Sequence, residues 1–129
     1  MQRRFIIIAA VVGFFGVALG AFGAHCLRTI FEANGRGDTF QTATEYQMIH
    51  ALALLAVAGF SSHYPGKYIH WAGYLFLIGV VLFSGSLYIL SIFDLSFMGA
   101  IAPFGGVDLL GGWFCLGWAA FTGKNNHVG

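Results

Sequence analysis

The chain has 129 residues, of which 58% are hydrophobic and 9% charged, with a formal net charge of +1, whereas an ordinary soluble domain carries roughly a quarter charged residues. Together with a mean hydropathy of +0.79 and a pI near 7.9, that balance excludes a water-soluble globule, a basic surface for nucleic acid and a disordered polar tract. A helix needs about 20 mainly apolar residues to cross the hydrocarbon layer, so four crossings would occupy most of the chain and leave no separate soluble domain.

The first segment, Phe5 to about Ala24, carries no charge and follows Arg3-Arg4. At about 20 residues it exceeds the h-region of a signal peptide, so it reads as a retained first helix. The bulky His25 directly before Cys26 is a poor fit to a lipoprotein cleavage site. Gly16, Gly20 and Ala24 recur at intervals of four, which puts them on one helix face and permits close approach of a neighbour. The connector from His25 to Asp38 holds Arg28, Glu32 and Arg36 with Asn34-Gly35 and Gly37, and its turn-forming residues predict a hydrated loop.

A second helix is expected to start with Asp38 or Thr39 as N-cap, Gln41 and Glu45 standing at capping-box distance from Asp38 and Thr42, and to cross over about 40–60. Its apolar part, Met48 to Phe60, is too short to cross alone, so the polar first half must enter the membrane or its interface. The third span, 69–93, lacks Asp, Glu, Lys and Arg, and Tyr64, Tyr68 and Trp71 sit where an interfacial aromatic belt would lie. A fourth hydrophobic region is interrupted by Pro103 and Gly105-Gly106. Proline is tolerated in a helix's first turn, so the crossing is expected over 103–121, with Leu95–Ala102 as a short interfacial or re-entrant piece. A short polar tail, Lys124-Asn125-Asn126-His127, follows the fourth region. The expected architecture is all-α: a single four-span up-down bundle covering residues 1–129.

Four crossings put Arg3, Arg4, Lys67 and Lys124 on one side and Arg28 and Arg36 on the other, so both termini are expected on the cytoplasmic side of a multi-pass protein. The threading also fixes depths at 1.5 Å per residue. His25 falls at the outer end of the first span, Glu45, Tyr46 and His50 in the outer half of the second, Ser84, Ser86 and Tyr88 in the outer half of the third, and Asp108 within two turns of the outer end of the fourth. An ionisable residue in a span costs roughly 2.5–3.5 kcal/mol or more and faces a bundle interior or water. Asp108 therefore needs a partner, and His50, His25, the span-3 serines and Arg28 are the candidates. Gly105 and Gly112 flank its face and would let another helix approach, as Gly16 and Gly20 would on the first span.

These residues spell no recognised ligand spacing such as HExxH, so no metal or cofactor is expected. Cys26 and Cys115 lack CxxC spacing and offer neither a disulfide framework nor a redox pair. No nucleophile and base are paired, so no catalytic residue is assigned. The expected function is non-enzymatic: an outer-half polar cluster of His25, Glu45, Tyr46, His50, Ser84, Ser86, Tyr88 and Asp108 that binds a lipid headgroup, a small polar molecule or a partner helix. The alternative is a small oligomeric transporter or proton-coupled carrier. Expected partners are membrane lipids and either a second copy or another membrane protein, and not nucleic acid.

Four stretches carry a family pattern: Gly20-Ala-Phe-Gly-Ala-His25, Thr39-Phe-Gln-Thr-Ala-Thr-Glu-Tyr-Gln-Met-Ile-His50-Ala-Leu-Ala-Leu-Leu55, Leu82-Phe-Ser-Gly-Ser-Leu-Tyr88, and Ile101-Ala-Pro-Phe-Gly-Gly106 with Gly112-Trp113. In this order they resemble the YgdD-like small bacterial inner-membrane proteins, a domain-of-unknown-function family with eukaryotic transmembrane relatives. The resemblance implies a small multi-span helical protein of the bacterial cytoplasmic membrane, and it supplies no reaction and no site residues.

Overall fold

A computed structural model describes residues 2–64 and 66–123, and the polar tail expected at Lys124 to His127 lies outside the described residues. The described chain is all-helical: α1 (Gln2–His25), α2 (Arg28–Asn34), α3 (Gly37–Phe60), α4 (Lys67–Phe93), a 3₁₀ segment (Ser96–Ala100) and α5 (Ala102–Thr122). By length and hydropathy α1, α4 and the run Ser96–Thr122 are able to cross a membrane. The 24-residue α3 matches α1 in length but opens with Asp38, Gln41, Glu45 and Gln47 and is the most polar of the long helices.

Two local expectations are corrected. The connector expected as a loop contains α2, in which Arg28 and Glu32 pair across one turn at 3.2 Å and Gly35 ends the helix in the left-handed region at φ 69°, where glycine pays no Cβ penalty. No capping box forms at α3. Its N-cap is Arg36, without a side-chain cap bond. Asp38 already lies inside the first turn, where the Thr42 hydroxyl donates to its carbonyl, and Gln41 bonds Glu45 instead. At the fourth span, Pro103 stands in the first turn of α5, and the piece before it winds as the 3₁₀ segment.

The long helices pack as sequence neighbours, α1 on α3, α3 on α4 and α4 on α5. Next-nearest helices meet through long side chains: Phe5 of α1 fills the space beside Gly73 of α4, and Trp113 of α5 reaches His50 of α3. No comparable seam joins α1 to α5 among the described residues, so the up-down order yields an open arrangement with two free outer helices. The core is built from Phe5, Leu54, Val57, Ile69 and Phe76, all essentially inaccessible. Large apolar side chains also cover the outside, with Phe14 69%, Leu110 71% and Phe121 82% exposed, a surface that water would penalise and hydrocarbon would not.

Candidate functional site

The buried stripe of α3 runs through Ala43, Gln47, Ala51, Leu54 and Ala58, an interval-of-three-or-four face in which Gln47 is the polar member. Its amide joins three helices. Gln47 Nε2 donates to the Val12 carbonyl of α1 at 2.9 Å, and the Tyr88 hydroxyl of α4 donates to Gln47 Oε1. One turn away the Ser84 hydroxyl donates to the Ala43 carbonyl at 2.8 Å, fixing α4 against α3. Ser86 and Ser91 spend their hydroxyls on carbonyls of their own helix, those of Phe83 and Tyr88.

His50 is buried and held at both ring nitrogens. Its Nε2 lies 3.0 Å from Trp113 Nε1 and its Nδ1 lies 2.7 Å from the Tyr46 carbonyl. An indole N–H only donates and a carbonyl only accepts, so Nε2 accepts and Nδ1 carries the proton: the neutral tautomer satisfies both contacts. Tyr46, exposed at the surface, lays its ring on Phe83 and alongside His50. Among the described residues no buried side-chain nitrogen or oxygen lacks a partner. Every buried polar atom of the interior layer is therefore already engaged with a protein partner, in bonds that also hold the helices together.

Asp108 does not join this layer. Gly105 stands on the backbone of Phe83, Leu109 on Gly79 and Gly112 on the Phe76 ring, a register that sets Asp108 level with Val80, the midpoint of α4 and roughly 20 Å from either end at 1.5 Å per residue. Asp108 stands within two turns of the start of α5, but α5 begins about 10 Å short of the Phe93 end of α4 and the 3₁₀ segment fills the difference, so Asp108 lies deeper against α4 than that distance alone implies. On the α5 wheel Asp108 is ~140° from Trp113, the residue that touches His50. Half-buried, Asp108 makes no side-chain hydrogen bond or ion pair among the described residues. His25, at the exposed end of α1, is likewise without one.

The rim where α1 and α4 end and α3 begins carries Arg28, Glu32, Arg36, Asp38 and Asp94, whereas Arg3, Arg4 and Lys67 stand at the opposite end. Asn34 Nδ2 donates to the Ser91 carbonyl at 2.9 Å, while its Oδ1 accepts from the Arg36 backbone N–H. Arg36 Nε pairs with Asp94 Oδ1 at 2.6 Å. Beside them, the end of α1, α2 and the start of α3 enclose a cavity of about 520 Å³ whose walls include Gly20, Gly23, Arg28, Phe31, Glu32, Phe40, Gln41 and Thr44. Glu45, bonded to Gln41 at 3.1 Å, lines the next stretch of the same depression. Around this mouth stand one guanidinium and two carboxylates. No group of three or more His, Cys, Asp or Glu is placed to hold a metal ion among the described residues.

Of the residues singled out from sequence, the fold gathers Tyr46, His50, Ser84, Ser86 and Tyr88 into or onto the interior layer, sends Glu45 to the cavity margin, and leaves His25 and Asp108 apart. Sequence reasoning missed Gln47 and Trp113, which do most of the cross-linking, as well as Arg36–Asp94. The available signal for Gln47 was its position within an alanine face, between Ala43 and Ala51.

The chain matches the family model described as a protein of unknown function (DUF423) over residues 19–106. It is 43% identical over 115 residues to a UPF0382 membrane protein of Staphylococcus saprophyticus, covering 89% of this chain and 94% of the relative. It is 41% identical over 125 residues to a UPF0382 membrane protein of Haemophilus influenzae, covering 97% and 99%. Against the UPF0382 inner membrane protein YgdD of Escherichia coli K12 the identity is 43% over 114 residues, covering 88% and 86%. No solved structure matches the chain.

Proposed function

The chain belongs to the DUF423 family of proteins of unknown function, alongside the UPF0382 membrane proteins, and on that footing we propose that it is a non-enzymatic binding protein that crosses the cytoplasmic membrane four times. Both termini lie in the cytoplasm, and the outer rim between α1, α2 and α3 receives the polar part of a small molecule. The rim cavity carries this reading: it is open, it is lined by Arg28, Glu32 and Gln41, and its charged pair is exposed enough to exchange partners, while the buried polar atoms of the interior layer already have protein partners. The α3 crossing is supported by its 24 residues, about 36 Å of helix, and by the burial of its polar side chain Gln47 against α1 and α4.

Native mass spectrometry of the protein extracted in mild detergent tests the reading. The wild type is expected to keep a small-molecule adduct after detergent is stripped, and Arg28→Ala/Glu32→Ala to lose it with unchanged unfolding behaviour. A wild type without adduct, or a variant that keeps the same adduct, would overturn the proposal.

One observation favours a second reading, a proton-coupled carrier working as an oligomer: Asp108 is an unpaired carboxyl level with the middle of α4, and such residues mark proton or ion pathways in other membrane proteins. Proteoliposomes should then show pH-driven solute movement that Asp108→Asn abolishes. Equal flux from wild type and variant removes this reading.

A further inference from the structure

The rim cavity does not end at Arg28. It shares Gly20 and Thr44 with a second depression of about 440 Å³, which shares Val17 and Met48 with a third of about 580 Å³ along the α1–α3 seam. Below Glu45 the walls are apolar. From Gly23 to Gly13 the groove drops ten residues of α1, about 15 Å, which is half of the roughly 30 Å hydrocarbon core. A charged mouth above one leaflet's depth of apolar groove is the outline of a phospholipid.

Charge complementarity narrows the occupant. The mouth offers one guanidinium, Arg28, and two carboxylates, Glu32 and Glu45, with the Gln41 amide between helices. An anionic headgroup would meet a net negative rim. A headgroup carrying both a phosphate and a primary ammonium would place the phosphate on Arg28 and three N–H donors toward the carboxylates, replacing the exposed Arg28–Glu32 pair with charge-assisted hydrogen bonds. A quaternary ammonium has no N–H to donate. Resting on the reading of the rim cavity as a binding site, we propose that the α1–α3 groove holds one membrane phospholipid with an ethanolamine-type headgroup, its head at Arg28 and Glu32 and an acyl chain along Gly20, Val17 and Met48.

Gly20 provides the test. A Cβ built there meets only the Thr44 methyl at 3.9 Å, so Gly20→Leu would fill the junction between head and tail without pushing the helices apart. The delipidated protein would be titrated with phosphatidylethanolamine, phosphatidylglycerol and phosphatidylcholine and read by native mass spectrometry. The expected result is at least about tenfold preference for phosphatidylethanolamine, lost both in Gly20→Leu and in Arg28→Gln/Glu32→Gln, with unfolding unchanged or, for Gly20→Leu, slightly harder. Equal retention of phosphatidylglycerol or phosphatidylcholine would overturn the headgroup assignment. If Gly20→Leu binds as wild type while Arg28→Gln/Glu32→Gln still sheds a polar adduct, the cavity remains a binding site and the lipid is wrong. If neither variant changes any adduct, the cavity reading fails as well.

Discussion

Gln47 uses both ends of its amide on different helices, so its loss is felt twice: the Tyr88 hydroxyl keeps its place but loses its acceptor, and the α1 contact at Val12 disappears. Hydrogen bonds between membrane helices are worth on average about 0.6 and at most about 1.7 kcal/mol, and a buried orphaned hydroxyl adds to the loss. Gln47→Leu is therefore expected to destabilise by about 1–2 kcal/mol, and Gln47→Leu/Tyr88→Phe to cost less than Gln47→Leu alone, measured by reversible unfolding in mixed micelles. Asp94 presents a different balance. It closes α4 in the left-handed region at φ 54° while pairing with Arg36. Asn tolerates that backbone and Ala does not, and the half-exposed ion pair is worth roughly 0–1 kcal/mol. Asp94→Asn should thus be the milder change and Asp94→Ala the costlier by about 1 kcal/mol, read from the same unfolding transitions. The sequence drew attention to ionisable groups, because their cost in hydrocarbon is large; neutral Gln47 and Trp113 carry smaller costs, and nothing in one helix alone reveals which partner helix they will reach.

Glycines divide sharply by what they face. A Cβ on Gly105 would collide with the backbone of Phe83, whereas one on Gly85 would meet nothing within 4 Å. Gly105→Ala must pry α5 from α4 and is expected to lower stability by more than about 2 kcal/mol, as overpacking against a rigid neighbour does. Gly85→Ala should be neutral or stabilising by up to about 1 kcal/mol, since alanine is the better helix former. The two thermal transitions, compared side by side, decide the matter. Helical character and the break before Pro103 were legible because uncharged runs and a proline write them directly into the chain. The α2 turn and the missing capping box were not. Asn34-Gly35 reads equally well as a loop or as the end of a short helix, and which residue caps α3 depends on Arg36 being drawn to Asp94 across the fold.

At the level of the whole molecule, an open row of long helices leaves α1 and α5 with wide apolar surfaces, and everything proposed for the rim requires α3 to cross. Cys26 and Ser62, both exposed, lie beyond opposite ends of α3. In intact cells a membrane-impermeant maleimide is expected to label Cys26, and Ser62→Cys only after permeabilisation; labelling of both from one side would mean that α3 does not cross. The place of Asp108 near the start of the fourth span was legible, but its level against α4 was not, since the length of the 3₁₀ segment and the start of α5 set that together. The division of labour between an interior polar layer that holds helices and a rim cavity that holds a ligand can be put to a single comparison, unfolding free energy and retained phosphatidylethanolamine measured on one set of preparations. Tyr88→Phe should weaken the fold and keep the lipid, and Arg28→Gln/Glu32→Gln should keep the fold and release the lipid. Loss of lipid from Tyr88→Phe with its stability intact, or full retention by Arg28→Gln/Glu32→Gln, would contradict that division.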